Sequence, residues 1–219
     1  MTPDELASAA ERLRLFPLPG TVLLPEVDLP LQVFEPRYRA LVADAMAGDR
    51  VVAIPQIVEG WEDRHLASPK LYPLCTAGLI TGHRRLPDGR SLIVLCPLAR
   101  VRIEEELSDS APWRVCRATI LVDDVEPAAP LAAVGRRLLA QLRPTLSGRS
   151  EPGPAEAWRT LNSLAEERVP ASVAAMVLRN CDDRQAYLAE DSPTRRAQFV
   201  EHCLLAALAE ARSQVVAEA

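Results

Sequence analysis

Residues 15–55 read LFPLPGTVLLPEVDLPLQVFEPRYRALVADAMAGDRVVAIP, and the fold of the chain turns on them. Three short apolar runs lie between prolines: Val22-Leu23-Leu24, Leu29 with Leu31, and Val33-Phe34. β-Branched and aromatic residues bounded by Pro and Gly read as strands. Each Pro marks an edge, an end or a turn, because it brings no N–H to a ladder. The period changes at Glu35-Pro36-Arg37-Tyr38-Arg39. Tyr38, Leu41, Val42 and Ala45 recur at helical spacing, with Pro36 in the first turn and Gly48 just past the last. Val51-Val52-Ala53-Ile54 then returns to a strand pattern. The stretch is β-β-α-β, with one short helix capping a sheet.

Upstream, Thr2-Pro3-Asp4-Glu5 has the residues of a capping box, so a polar surface helix is expected to about Arg12. Downstream, Leu74–Arg85 and Ser91–Leu98 read as strands joined at Pro87-Asp88-Gly89, where Pro presets φ and Gly accepts a positive one. Leu92, Val94, Cys96 and Leu98 alternate with Ile93 and Leu95. With both faces apolar, that strand is expected to be central and covered on both sides. Arg100–Glu105 alternates like a separate half-exposed strand, and 113–121 continues the sheet.

Composition changes at Val122-Asp-Asp-Val-Glu-Pro, which sets the expected domains at 1–126 and 127–219. Beyond it the spacing is helical. Val134, Leu138, Leu139 and Leu142 share one face; Trp158, Leu161 and Leu164 mark a second helix. A third carries Val173, Met176 and Val177, and the last, opened by Ser192-Pro193, has a wide apolar stripe from Phe199 to Ala211. That stripe reads as bundle core. The fold class is therefore α+β, a β-rich N-terminal domain followed by a helical bundle.

The run FPLPGTVLLPEVDLPLQVFEPRYRALVADAM with GDRVVAIPQI resembles the opening of the Lon protease N-terminal, substrate-binding domain. RLPDGRSLIVL at 85–95 and ARVRIEEE at 99–106 resemble that family's later hairpin and strand. The resemblance covers residues 13 to 126 well and the helical remainder more loosely. It implies a PUA-like pseudo-barrel and a stand-alone binding portion that holds unfolded or degron-bearing polypeptide, without the family's motor or protease.

The 219 residues are 48% hydrophobic and 25% charged, an ordinary globular balance. A net charge of −5 and 4% aromatics disfavour a nucleic-acid binder that needs a basic field and stacking platforms. The acidic start has no secretory n- and h-regions, and no apolar run reaches membrane-spanning length, so a cytoplasmic location is expected. Cys75, Cys96, Cys116, Cys181 and Cys203 lack short spacing and read as reduced core residues.

Motifs that would carry catalysis are missing from these residues. There is no G-x-x-x-x-G-K-[ST] loop for phosphates. Lys70, the sole lysine, sits in a polar loop that would not activate a Ser nucleophile. His65, His83 and His202 are scattered, and no closely spaced His/Cys pair announces a metal. Neither a cofactor nor catalytic residues are expected. Glu104-Glu105-Glu106 and Asp123-Asp124 read as solvated faces.

Candidate substrate contacts are Val22, Leu23, Leu24, Leu29, Leu31 and Trp61, the apolar side chains that a pseudo-barrel with Pro-broken edges would offer an extended peptide. Trp61 lies in the aperiodic loop 58–70 beside His65, and tucking against the barrel is its competing and favoured role. Glu35, Pro36, Arg37 and Tyr38 form a structural motif: Glu35 is expected to satisfy amides at the helix start, Arg37 to pair with it, and Tyr38 to be core. Two alternatives remain. One is RNA binding through Arg84, Arg85 and Arg90 with Arg100 and Arg102. The other is an adaptor that docks a protein partner, or a second copy, through the C-terminal helices.

Overall fold

The computed structural model describes residues 1–58, 60–61, 68–146 and 152–217. The chain forms two compact units, Met1–Val122 with Asn180–Ala189, and Asp123–Arg179 with Glu190–Ala219. In the first, helix α1 (Pro3–Ala10) starts on the expected capping box. Thr2 Oγ1 accepts the Glu5 amide at 3.2 Å, and the Glu5 carboxylate accepts the Thr2 amide at 2.6 Å. Strands β1 (Leu13–Leu15), β2 (Leu29–Val33) and β3 (Val51–Ala53) surround helix α2 (Pro36–Ala47), and β4 (Leu74–Arg85), β5 (Ser91–Leu107) and β6 (Arg114–Ile120) complete one sheet.

Strand order is β2-β5-β4-β3-β1-β6, and β6 also pairs with β5, so five strands close a ring onto which β2 is added. The ring closes because β5 is long enough for two partners on one edge. Its residues 91–95 pair with β2, and 101–107 pair with β6. The sequence pattern predicts two strands here, 91–98 and 100–105. The structure keeps one 17-residue strand and absorbs Pro97 at a register shift opposite Ala77 and Gly78, where a missing N–H breaks no regular rung. Gly89 takes φ +84° in the hairpin turn, as the turn chemistry required.

Residues 21–24 are a second correction, since they form no strand. Leu23 is fully buried above Gly78 of β4, where a Cβ would stand 2.6 Å from its Cδ2. This segment therefore plugs the sheet rather than extending it. Leu23 joins Phe16, Tyr38, Leu41, Ile54, Ile80, Ile93 and Leu95 in a core between α2 and the sheet. A second cluster, with Leu13, Leu15, Val51, Cys75, Val101 and Cys116, packs under Ala9 of α1.

In the second unit, α3 (Ala128–Leu146), α4 (Pro152–Ser163), α5 (Val169–Val177) and α7 (Pro193–Ala217) bury Val134, Leu138, Leu142, Val173, Val200 and Leu204. The apolar periods marked each of these helices. Helix α6 (Cys181–Ala189), which periodicity did not mark, belongs to the first unit. It is held by polar contacts: Arg184 donates to the Gly20 carbonyl at 2.5 Å and Gln185 to that of Leu74 at 3.3 Å, while the buried Arg100 donates to the Leu188 carbonyl at 2.7 Å.

Candidate functional site

On the outer face of β2, β5 and β4, apolar side chains stay accessible beside a groove. Two cross-strand rows form it, Pro30–Val94–Gly82 and Gln32–Leu92–Arg84. Gly82 has no side chain, so a hollow opens beside Val94, and the groove encloses about 490 Å³. Leu92 and Val94 are half-buried, and Ile93 and Leu95 on the opposite face are fully so. The expectation that both faces of this strand are covered is thus corrected. Alternation marks two apolar faces, but only one of them meets α2. Phe34, the next step of the outward alternation after Pro30 and Gln32, is 63% exposed.

β2 pairs with β5 alone among the described residues. Pro30 has no N–H, so the Pro30/Val94 pair is not mutually hydrogen-bonded. Antiparallel alternation then makes Leu29/Leu95, Leu31/Ile93 and Val33/Ser91 the bonded pairs. The free edge accordingly presents the carbonyls of Pro30 and Gln32 and the N–H of Gln32.

The expected contacts do not converge here. Leu31 lines the groove, and Leu29 packs on the core beside it. Leu23 and Leu24 are buried, and Val22 is half-buried. In this fold Leu23 and Leu24 are core residues. Trp61 is half-buried in a separate hollow of about 370 Å³ with Lys70, Tyr72, Ile103, Glu106 and Arg114. Arg114 is held there by Glu106 and by the Pro69 carbonyl at 2.7 Å. His65 lies outside the described residues. Phe34, Leu92 and Val94 were missed because exposure, not residue type, distinguishes them.

The Glu35–Tyr38 residues contact one another and the core, with one correction to the expected capping. Glu35 occupies the N-cap of α2 but its side chain caps no amide; the carboxylate instead holds Arg37 at 3.0 Å. The Arg37 guanidinium lies 4.4 Å over the Tyr38 ring, which stacks 4.2 Å from Phe16, while Tyr38 Oη donates to the Pro17 carbonyl at 3.3 Å. Burial raises the Tyr38 pKa. Burial also pushes the Cys75 thiol up and takes Cys116 to about 12, which disfavours the reactive thiolate in both. No cluster of three or more His, Cys, Asp or Glu able to hold a metal occurs among the described residues. No helix among them is long and apolar enough to cross a membrane.

The ring of strands with its appended helices is that of a Lon N-terminal domain. It superimposes on the N terminal domain of Mycobacterium avium complex Lon protease with a TM-score of 0.65, over 88% of this chain and 97% of that one, at 18% identity. It also matches the Lon N-terminal domain protein from Xanthomonas campestris with a TM-score of 0.56, over 85% and 95%, at 24% identity. Residues 12–205 match the ATP-dependent protease La (LON) substrate-binding domain, and the chain belongs to that family. Lon protease 1 of Herpetosiphon aurantiacus is 28% identical over 87% of this chain and 23% of its own length. For the Lon protease of Trichlorobacter lovleyi the figures are 28%, 92% and 24%. The chain thus spans about a quarter of the length of these relatives.

Proposed function

We propose that this chain is a non-catalytic module that binds extended, apolar polypeptide segments, and that the outer face of β2, β5 and β4 is where they lie. One observation carries the reading: in a substrate-binding-domain family member, an accessible apolar groove runs beside a strand edge with unpaired backbone groups. An extended chain can add to such an edge and set alternate side chains into the groove. Folded proteins have already buried the apolar segments that would fill it, so unfolded or degron-bearing segments are its natural occupants. The Trp61 hollow is the less favoured surface, because Arg114 and Glu106 occupy each other there.

The test is fluorescence anisotropy of a labelled, permanently unfolded polypeptide, with its folded form and a single-stranded RNA as controls. Saturable binding of the unfolded form is expected, weakened at least tenfold by Phe34→Asp and by Val94→Asp while Trp61→Ala leaves it unchanged. Absence of binding overturns the reading. Binding that ignores Phe34 and Val94 but is lost with Trp61 moves the site to the other hollow.

A further inference from the structure

On the opposite face of the same hairpin, between its end and α2, lies a second concavity of about 420 Å³ whose lining has a different chemistry. Arg39 of α2 and Arg85 of β4 face it with His83 and Ser91, and no carboxylate is among its lining residues. His83 Nε2 and the buried Ser91 hydroxyl are 3.2 Å apart, which fixes the imidazole at the wall. Arg39 reaches across the turn, for a Cβ at Gly89 would stand 2.4 Å from its terminal nitrogen.

Neither Arg39 nor Arg85, nor Arg84 on the groove side, has an ion pair or side-chain hydrogen bond among the described residues. The nearby acids are already engaged. Asp88 holds Arg90 at 2.7 Å, and Glu35 holds Arg37 at 3.0 Å. Arg100, the buried member of the sequence-level arginine cluster, is taken by the Leu188 carbonyl. In a chain of net charge −5, one end of one hairpin therefore gathers three guanidinium groups, from two elements, that have no acidic partner among the described residues. Like charges held together in and around a concavity favour an anionic occupant.

We infer that this end of the hairpin recognises acidic side chains, so that the preferred occupant is an apolar polypeptide segment followed by a run of Asp or Glu. The inference rests on the polypeptide-binding reading and adds the chemistry of the ligand. A run of carboxylates fits better than a single chain terminus, because the three arginines lie on both faces of the hairpin end and one carboxylate cannot reach them all. Arg84 borders the groove itself, so the segment in the groove leads directly to this rim.

Two labelled peptides test it. They share one apolar segment and are amidated at the C-terminus; one continues with alternating Asp and Glu, the other with Ser and Gln. The acidic peptide is expected to bind about tenfold tighter at low salt, from a few exposed charge contacts of modest individual strength, and the advantage should fade as salt rises. Arg39→Gln with Arg85→Gln should remove most of the advantage, Arg84 keeping the remainder, and leave the neutral peptide's affinity and the thermal transition unchanged. Arg39→Lys with Arg85→Lys should keep most of it. Equal affinity of the two peptides overturns the inference and leaves the groove reading standing. An advantage undiminished in the Gln variant overturns the site. A neutral peptide with a free C-terminus that matches the acidic one overturns the acidic run in favour of a terminal carboxylate. Tighter binding of an RNA oligonucleotide, lost in the Gln variant, overturns the peptide ligand. Binding of neither peptide overturns both the inference and the reading beneath it.

Discussion

Leu23 and Phe34 separate core from surface, and paired substitutions put that separation to a quantitative test. Leu23 is fully buried over Gly78, whereas Phe34 is 63% exposed. Leu23→Ala removes three carbons, about 2.4 kcal/mol at roughly 0.8 kcal/mol per buried methylene. Gly78 beneath it has no side chain to move into the void, so a cavity term raises the loss to about 3–4 kcal/mol. At about 3 °C per kcal/mol for a chain of this size, the transition should fall by about 10 °C. Phe34→Ser should change stability by less than about 0.5 kcal/mol, the usual range for an exposed site. Urea unfolding followed by circular dichroism reads both, and peptide anisotropy on the folded proteins reads the rest. Leu23→Ala should retain affinity while Phe34→Ser loses it. The core assignment is refuted if Leu23→Ala costs less than about 1 kcal/mol or if Phe34→Ser costs more than that.

Gly135 of α3 faces the Glu166 carbonyl so closely that a Cβ would stand 1.8 Å from the oxygen. Gly135→Ala should therefore destabilise the second unit by about 3 kcal/mol, measured by urea unfolding; a neutral result would mean that the helices part easily. Arg14 is buried between β1 and the end of α2, bonded to Asp44 at 2.6 Å and Asp49 at 2.7 Å. Because those carboxylates are 43% and 35% exposed, Arg14→Ala should cost about 2 kcal/mol rather than the larger loss of a fully buried pair. In the second unit, hydrogen bonds from Ser192 and Thr194 lower the Glu126 pKa, and bonds with Arg195 and Arg137 lower those of Glu190 and Glu201. Depressed folded-state values mean that stability is present above the ordinary 4.5 and is lost as pH falls through the folded values. An acid titration by circular dichroism should show helix loss there, shifted to higher pH by Glu126→Gln; an unchanged midpoint would refute the role of Glu126. Cys75 and Cys116 should resist alkylation at pH 8 until the protein is unfolded, a contrast that mass spectrometry reads directly.

Local chemistry made much of the fold legible. The Thr2/Glu5 box, Pro36 and Gly48 around α2, and Pro87-Asp88-Gly89 in the hairpin each act within a few residues, and each stands where it was expected. Decisions made by distant packing were not legible. Val22-Leu23-Leu24 has strand composition, yet the hollow over Gly78, 55 positions away in the chain, claims Leu23 for the core. The expected break between Leu98 and Arg100 is absent because nothing local announces the bulge beside Pro97 that lets one strand continue. Helix α6 has only Tyr187 and Leu188 buried and is held by Arg184, Gln185 and Arg100, so it has no apolar period to read. The groove was hidden for a related reason. Leu92 and Val94 look like core residues in any pattern, and only the placement of α2 on the other face leaves them accessible.

The open edge of β2 also bears on how such a groove would hold its ligand. An unprotected edge with a full row of donors and acceptors is a template for aggregation. Pro30 removes one of the outward donors and leaves Gln32 to supply the N–H at mid-strand, so an added chain forms only a broken ladder. Main-chain pairing of that kind contributes little net free energy per bond and reads no sequence. Discrimination then falls on the side chains that flank it: the hollow at Gly82, the Leu92 and Val94 surface, and the arginines of the hairpin end. A weak ladder with selective flanks favours reversible capture of many segments over tight binding of one. Replacing Pro30 by Thr, which restores the N–H, should therefore tighten all peptides alike and narrow the difference between weak and strong ligands in relative occupancy. Anisotropy across a peptide set reads this, and an effect confined to one peptide would show that the edge itself carries specificity.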